Sequence, residues 1–195
     1  GMKPIFLEIV IAPDFTDEAM EIFATKKNLR VIQVDMTKST EAIDQYVSVN
    51  GGLLVQHLDT QIETITPEMC ATKVQADAAT LADMQFGWNI VKHVKSNAIV
   101  VVKNGQTLGV GAGQMNRVGS AEIAMKQAHA AGVTEGLILA SDGFLPFDDT
   151  VALAAQYGVT AIVQPGGSIR DNDCVTKADE LGICMLMTGT RHFKH

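Results

Sequence analysis

The chain has 195 residues, 47% of them apolar, and a formal net charge of −7. That size suits one large domain or two small ones with a substantial core. The acidic balance, the lack of any Lys/Arg run and an aromatic share of 5% exclude a basic, base-stacking nucleic-acid surface.

No apolar run reaches bilayer-spanning length, so no membrane partner is expected. Gly1 before Met2 reads as an expression scar, and no signal peptide is read after it. Cys70, Cys174 and Cys184 form no C-x-x-C, and buried free thiols are the simplest reading, which fits an expected cytoplasmic location.

"IFLEIVIA" (5–12) is a nearly continuous apolar run and reads as a buried strand. "DEAMEIFATKK" carries Ala19, Ile22 and Phe23 at helical spacing, and "LRVIQVD" returns as a strand, which makes a βαβ unit. "VNGGLLVQ" reads as one short strand with a glycine pair, followed by a polar connection around Pro67. From Ala79, the side chains of Leu81, Met84, Trp88, Val91 and Val94 share one face of a helix ending near Ser96.

"NAIVVVK" is a buried strand, and Asn104-Gly105 is a strong hairpin signal that sends "TLGVGAG" back antiparallel. A helix runs from an Asn116 N-cap to a Gly132 C-cap. Then come "GLILAS", "DDTVALAAQYG", "VTAIVQP", "DCVTKADELG" and "ICMLMT", alternating strand and helix, with Gly158 and Gly182 as C-caps. The alternation predicts a three-layer α/β/α sandwich with a mixed sheet. The leading hairpin argues against a pure Rossmann unit, and the G-x-G-x-G here lacks the dinucleotide spacing.

Four polar or glycine-rich segments fall at strand ends, where open α/β sheets collect ligands. In "KSN" (95–97), Asn97 could orient an amide or amine, or serve as a turn residue. Arg117 opens a helix, where positive charge opposes the macrodipole at a cost of about 0.3–1 kcal/mol. A bound phosphate or carboxylate would reverse that cost; a surface position or a salt bridge to Glu122 are the plainer readings.

In "SDGFLPFDD", Phe144, Leu145 and Phe147 bracket Pro146, either as a platform for a flat ligand or as a loop folded onto the core. Asp149 reads equally well as an N-cap. In "QPGGSIRDND", the amides of Gly166, Gly167 and Ser168 could hold a carboxylate or ring carbonyl. A tight turn capped by Ser168 or Asp171 explains the same residues. The tail "RHFKH" would pass for a frayed end, and its histidines lack the spacing and partners of a metal site.

Together, "VKSNAIVVVKNGQTLGVGAGQMNRV", "SDGFLPFDD", "QPGGSIRD" and "RHFKH", with "SVNGGLLVQ" upstream, resemble the C-terminal half of AICAR transformylase. This is the formyltransferase part of a bifunctional purine biosynthesis protein that also carries IMP cyclohydrolase. The resemblance implies formyl transfer from 10-formyltetrahydrofolate to AICAR, without metal, on cytidine-deaminase-like subdomains with active sites at a dimer interface. The H-x-E and P-C-x-x-C zinc residues of true deaminases are missing, so deamination is not implied.

Carried over by position, the resemblance makes Asn97 the catalytic and AICAR-contacting asparagine, with Arg117 and Arg191 on the nucleotide. It puts Val118, Phe144, Pro146, Phe147, Asp149, Ser168, Ile169, Phe193 and His195 at the folate. It implies that residues 1–78 are a remnant of the preceding subdomain and that 79–195 form the second one. The family's essential Lys-His pair lies in the earlier half of the transformylase, and Lys92-His93 falls on a helix outside that motif. The expected partner is therefore a second copy or a separate chain carrying that half. The alternative is a non-catalytic AICAR- and folate-binding module.

Overall fold

The computed structural model describes residues 5–35 and 44–194. The chain divides into two compact units, 1–58 and 59–195.

In the first unit, β1 (Ile9–Ala12) and β2 (Arg30–Gln33) pair in parallel across α1 (Asp17–Ala24), the expected βαβ unit. Thr16 caps α1, its hydroxyl accepting from the Ala19 N–H at 3.3 Å. β1 is shorter and more exposed than the buried strand expected over 5–12: Ile9 and Ile11 are 52% and 60% exposed. One crossover helix covers at most one face of a two-stranded sheet, so β1 is not enclosed on both sides.

Where the sequence suggests a single strand, β3 (Asp44–Val49) and β4 (Gly52–His57) form an antiparallel hairpin. Its turn is Asn50-Gly51, with Gly51 at φ +79°.

The second unit holds β5 (Ile99–Lys103), β6 (Gln106–Gly111), β7 (Leu137–Ser141), β8 (Val159–Gln164) and β9 (Cys184–Met187). They make a five-stranded sheet in the order β6-β5-β7-β8-β9. β5 is antiparallel to both of its neighbours, whereas β7, β8 and β9 run parallel, so the sheet is mixed as expected. Asn104 and Gly105 turn β5 into β6 with φ of 52° and 67°, the left-handed pair that such a hairpin demands.

Successive residues of each strand serve opposite faces. Val100, Val102, Ile138 and Ala140 meet Met84, Trp88 and Val91 of α2 (Ala78–Val91). Ile99, Val101, Leu137 and Leu139 meet α3 (Arg117–Ala130), α4 (Asp149–Gln156) and α5 (Asp171–Leu181) through small residues such as Ala121, Ala124, Ala154 and Ala178. The result is helix, sheet, helix in three layers. Each fully buried aliphatic side chain contributes roughly 1.5–3 kcal/mol of transfer free energy.

α2 stops at Val91 instead of near Ser96, because the next amides tighten: His93 N donates to Ile90 O and Val94 N to Val91 O. α5 ends on left-handed Gly182, as a C-cap should.

Two of the glycines before α3, Gly109 and Gly111, are packing residues. A Cβ on Gly109 would lie 1.9 Å from the Ala124 carbonyl oxygen, and one on Gly111 would lie 2.0 Å from that of Ser120. Only bare backbone lets α3 approach β6 this closely.

The units divide at Leu58/Asp59, earlier than the boundary read at 78/79. Residues 59–77 pack with the second unit because the connection is less polar in effect than in composition. Ile65 is buried beside Trp88, and Ala71 N donates to Met185 O at 2.8 Å. Cys174 and Cys184 are buried thiols, pushed up by burial to about 11 and about 12; Cys70 is only half-buried. None of the three is in a disulfide.

Candidate functional site

One edge of the five-stranded sheet gathers the carboxyl ends of β7, β8 and β9. Because β5 runs antiparallel, its first residue lies there too, with Ile99 opposite Ser141 and also opposite Gly111 at the end of β6. Asn97, Arg117, Phe144, Ser168 and Arg191 all lie on segments leaving or entering this edge. Helix α3 begins there, with its Asn116 side chain accepting from Gly119 N at 2.8 Å.

The positive charge at the start of α3 is answered from within the chain. Arg117 Nη2 donates to Asp142 Oδ1 at 2.9 Å, and its Nε donates to Ser141 Oγ at 3.2 Å. Asp142 is fully buried and the Arg117 side chain is 11% exposed. None of the readings open in the sequence named this partner, the carboxylate that follows β7. Glu122, the candidate partner, pairs with Lys126.

The Arg117 guanidinium also stands 5.7 Å from the Phe193 ring centroid. Gly143 makes room for both: a Cβ there would lie 2.1 Å from Arg117 Nη2 and 2.7 Å from Phe193. Arg191 stacks 5.0 Å from the centre of Phe144 and reaches within 3.4 Å of a Cβ on Gly167. Thus the loops after β7 and β8 and the tail converge.

Asn97 joins them through its neighbours. Its Nδ2 donates to Gln114 O at 2.9 Å, and its carbonyl accepts from Ser120 Oγ at 2.7 Å. The peptide between Ser96 and Asn97 is cis.

The remaining expected site residues are more dispersed. Val118 and Pro146 are half-buried, Phe147 is exposed against Arg170 at 5.1 Å, and Ile169 is wholly exposed. Asp149 opens α4, and its Oδ1 accepts from Thr150 N at 2.6 Å. His195 lies outside the described residues. Leu145, grouped with the aromatics of its loop, is instead core.

Two of the three "GGS" amides are already taken, which favours the turn reading. Asp171 Oδ2 accepts from Gly167 N at 2.6 Å and its Oδ1 from Ser168 N at 3.1 Å.

The tail is anchored where fraying was the expectation. His192 is 1% exposed, lies 4.8 Å from the Trp88 ring, and has Asp59 Oδ2 at 2.5 Å and Glu63 Oε2 at 3.0 Å from its two nitrogens. This pins Arg191 and Phe193 on either side. Sequence reasoning missed both Asp142 and His192. The signal for Asp142 was a matched oddity: a helix-opening arginine and an acid closing an otherwise apolar strand, each unfavourable alone.

Acid should loosen the anchor. Burial alone would raise the Glu63 carboxyl, but the Trp88 indole N–H, the backbone and His192 outweigh it and leave it below its ordinary 4.5. Burial, reinforced by Lys92, pulls His93 below its ordinary 6.5. Both groups then bind fewer protons folded than unfolded, so their stabilisation is complete above pH 6.5 and is lost as pH falls through the two lowered values. Wild-type melting temperatures should decline as pH falls below 6.5, and the further decline below 4.5 should be less steep for Glu63→Gln.

Strand order and register define a three-layer α/β protein whose candidate residues gather at one edge of a mixed sheet. A family model described as the AICARFT/IMPCHase bienzyme matches residues 1–127, and the chain belongs to that family.

Its curated relatives are called bifunctional purine biosynthesis protein PurH. That of Bacillus cytotoxicus is 54% identical over 194 residues, covering 100% of this chain and 38% of the relative. That of Parasynechococcus marenigrum is 54% identical over 192 residues, covering 98% and 37%. The chain thus spans well under half the length of these relatives.

Among solved structures, a dCMP deaminase from cyanophage S-TIM5 overlays with a TM-score of 0.41 at 18% identity, covering 58% of this chain and 99% of that one. A deaminase/reductase from Thermotoga maritima gives 0.38 at 18%, covering 56% and 35%. Both overlays are partial; strand order and register define the fold independently of them.

Among the described residues, no group of three or more His, Cys, Asp or Glu is placed to hold a metal ion. Also among them, no helix is long and apolar enough to cross a membrane.

Proposed function

We propose that this chain carries the C-terminal part of a formyl-transfer site, in which 10-formyltetrahydrofolate formylates the 5-amino group of AICAR. The family supports a role in purine biosynthesis. The finer reading rests on the ordered motifs, and the observation that carries it is the convergence of Asn97, Arg117, Phe144, Arg191 and Phe193 at one sheet edge.

The amine of AICAR is a weak nucleophile, its lone pair delocalised into the ring and the adjacent carboxamide. Attack on the formyl carbon forms the new C–N bond, and the tetrahedral oxyanion collapses as the folate nitrogen departs with a proton. Proton removal and oxyanion stabilisation are needed together. With Asn97 Nδ2 engaged by Gln114, its Oδ1 is the acceptor available to orient an amine N–H.

Arg191 is exposed and makes no ion pair among the described residues, so it suits the nucleotide's negative charge, with the pre-paired Arg117 beside it. Val118, Phe144, Pro146, Phe147, Asp149, Ser168, Ile169 and Phe193 form the folate side in this reading, with His195 beyond them.

The general base comes from the family's Lys-His pair in the earlier half. Lys92 does not substitute, because its Nζ is buried against the Gln61 carbonyl at 2.5 Å and lies 4.0 Å from Asp59. Without such a base, the step should lose about 10²–10⁴ in rate.

Formyl transfer is therefore expected when the chain is mixed with a separately expressed earlier half of a relative, and not from the chain alone. Turnover by the chain alone would overturn the assignment of the base. Binding of AICAR and reduced folate with no turnover in either case would leave a non-catalytic binding module. Calorimetric silence toward both ligands would sink the reading altogether. Sedimentation of the chain and of the mixture tests the expected homodimer or paired chain.

A further inference from the structure

We infer that Asp142 is a positioning residue whose one buried carboxylate sets Asn97 and Arg117 relative to each other. The inference rests on the formyl-transfer reading for its consequence and on the geometry alone for its substance.

Asp142 Oδ1 accepts from Arg117 Nη2 at 2.9 Å and from Ala98 N at 3.2 Å, and its Oδ2 accepts from Ser96 Oγ. The residues immediately before and after Asn97 are therefore held by the carboxylate that also holds Arg117. Its backbone adds two ties: the Asp142 N–H donates to Ala98 O at 3.3 Å, and its carbonyl accepts from His192 N at 3.0 Å. Ser96 Oγ accepts in turn from Lys194 N at 3.0 Å, which fixes the direction of its own hydroxyl.

A buried carboxylate needs its lone pairs satisfied as well as its charge balanced. Here three donors from two separate segments do both, so moving the carboxylate moves both segments. Asp142 itself is fully buried and acts only through the residues it holds.

The test follows the Asn97 side-chain amide and the Arg117 Nε–H as resonances of the ¹⁵N-labelled chain, alongside AICAR calorimetry. Asp142→Asn should move both signals and weaken AICAR binding by at least about tenfold, while thermal unfolding stays cooperative. Arg117→Met should move the Asn97 amide in the wild-type background and not in the Asp142→Asn background.

Ser96→Ala is the milder variant in case Asp142→Asn does not fold. It should move Asn97, weaken AICAR binding and leave Arg117 in place. Asn97 signals indifferent to all three substitutions would overturn the inference. Should the wild type bind neither AICAR nor reduced folate, the formyl-transfer reading fails, while the resonances still decide the role of Asp142.

Discussion

Gly111→Ala is expected to destabilise the second unit at the upper end of the about 1–3 kcal/mol typical of overpacking, or beyond it. The added methyl would stand 2.0 Å from a backbone carbonyl of α3, and backbone cannot rotate away as a side chain can. Either the helix lifts from β6 or the strand leaves its register with β5. Gly105→Ala is the control, for its turn has a positive φ of 67° but open space around the Cβ position. Strain alone costs about 1–2 kcal/mol. Urea unfolding of the two variants separates close approach from strain, and equal losses would show that the helix contact is unimportant.

Arg117→Met should cost about 3–5 kcal/mol, because it leaves a fully buried carboxylate without its cation. The opposing effect is relief of an unfavourable charge at a helix start, about 0.3–1 kcal/mol. The first is several times the second, so the net sign is destabilising. Chemical denaturation of the variant at neutral pH checks it; a gain in stability would mean that the macrodipole outweighs the Asp142 pair.

Most of the second unit could be read from the sequence because its signals are local. The Asn104-Gly105 turn, the Asn116 cap, the left-handed glycines and the apolar strands each report on a few neighbouring residues. The first unit was less legible. Asn50-Gly51 carries the same turn signal, yet the polar and exposed residues of β3 hid the strand that precedes it.

The site was legible as a set of segments and illegible as a set of contacts. Nothing in "LILASD" states that its acid meets Arg117, since that pairing depends on the sheet bringing β7 beside β5. The same holds for "RHFKH", which reads as solvent-facing until Trp88, Asp59 and Glu63 surround His192. Close helix packing by Gly109 and Gly111 cannot be seen in their spacing, and the Asp171 side chain that takes two amides of the Gly166-Gly167-Ser168 turn is settled only by the fold of that turn.

The place of β7 at the centre of the sheet has a consequence for how the protein is made. Helix α2 leaves the ribosome before β5 to β9, and the surface it covers includes strands that are translated much later than the helix. Pairings this distant in sequence delay folding. A nascent chain paused before Val159 would present Met84 and Trp88 to chaperones, with no finished sheet to receive them.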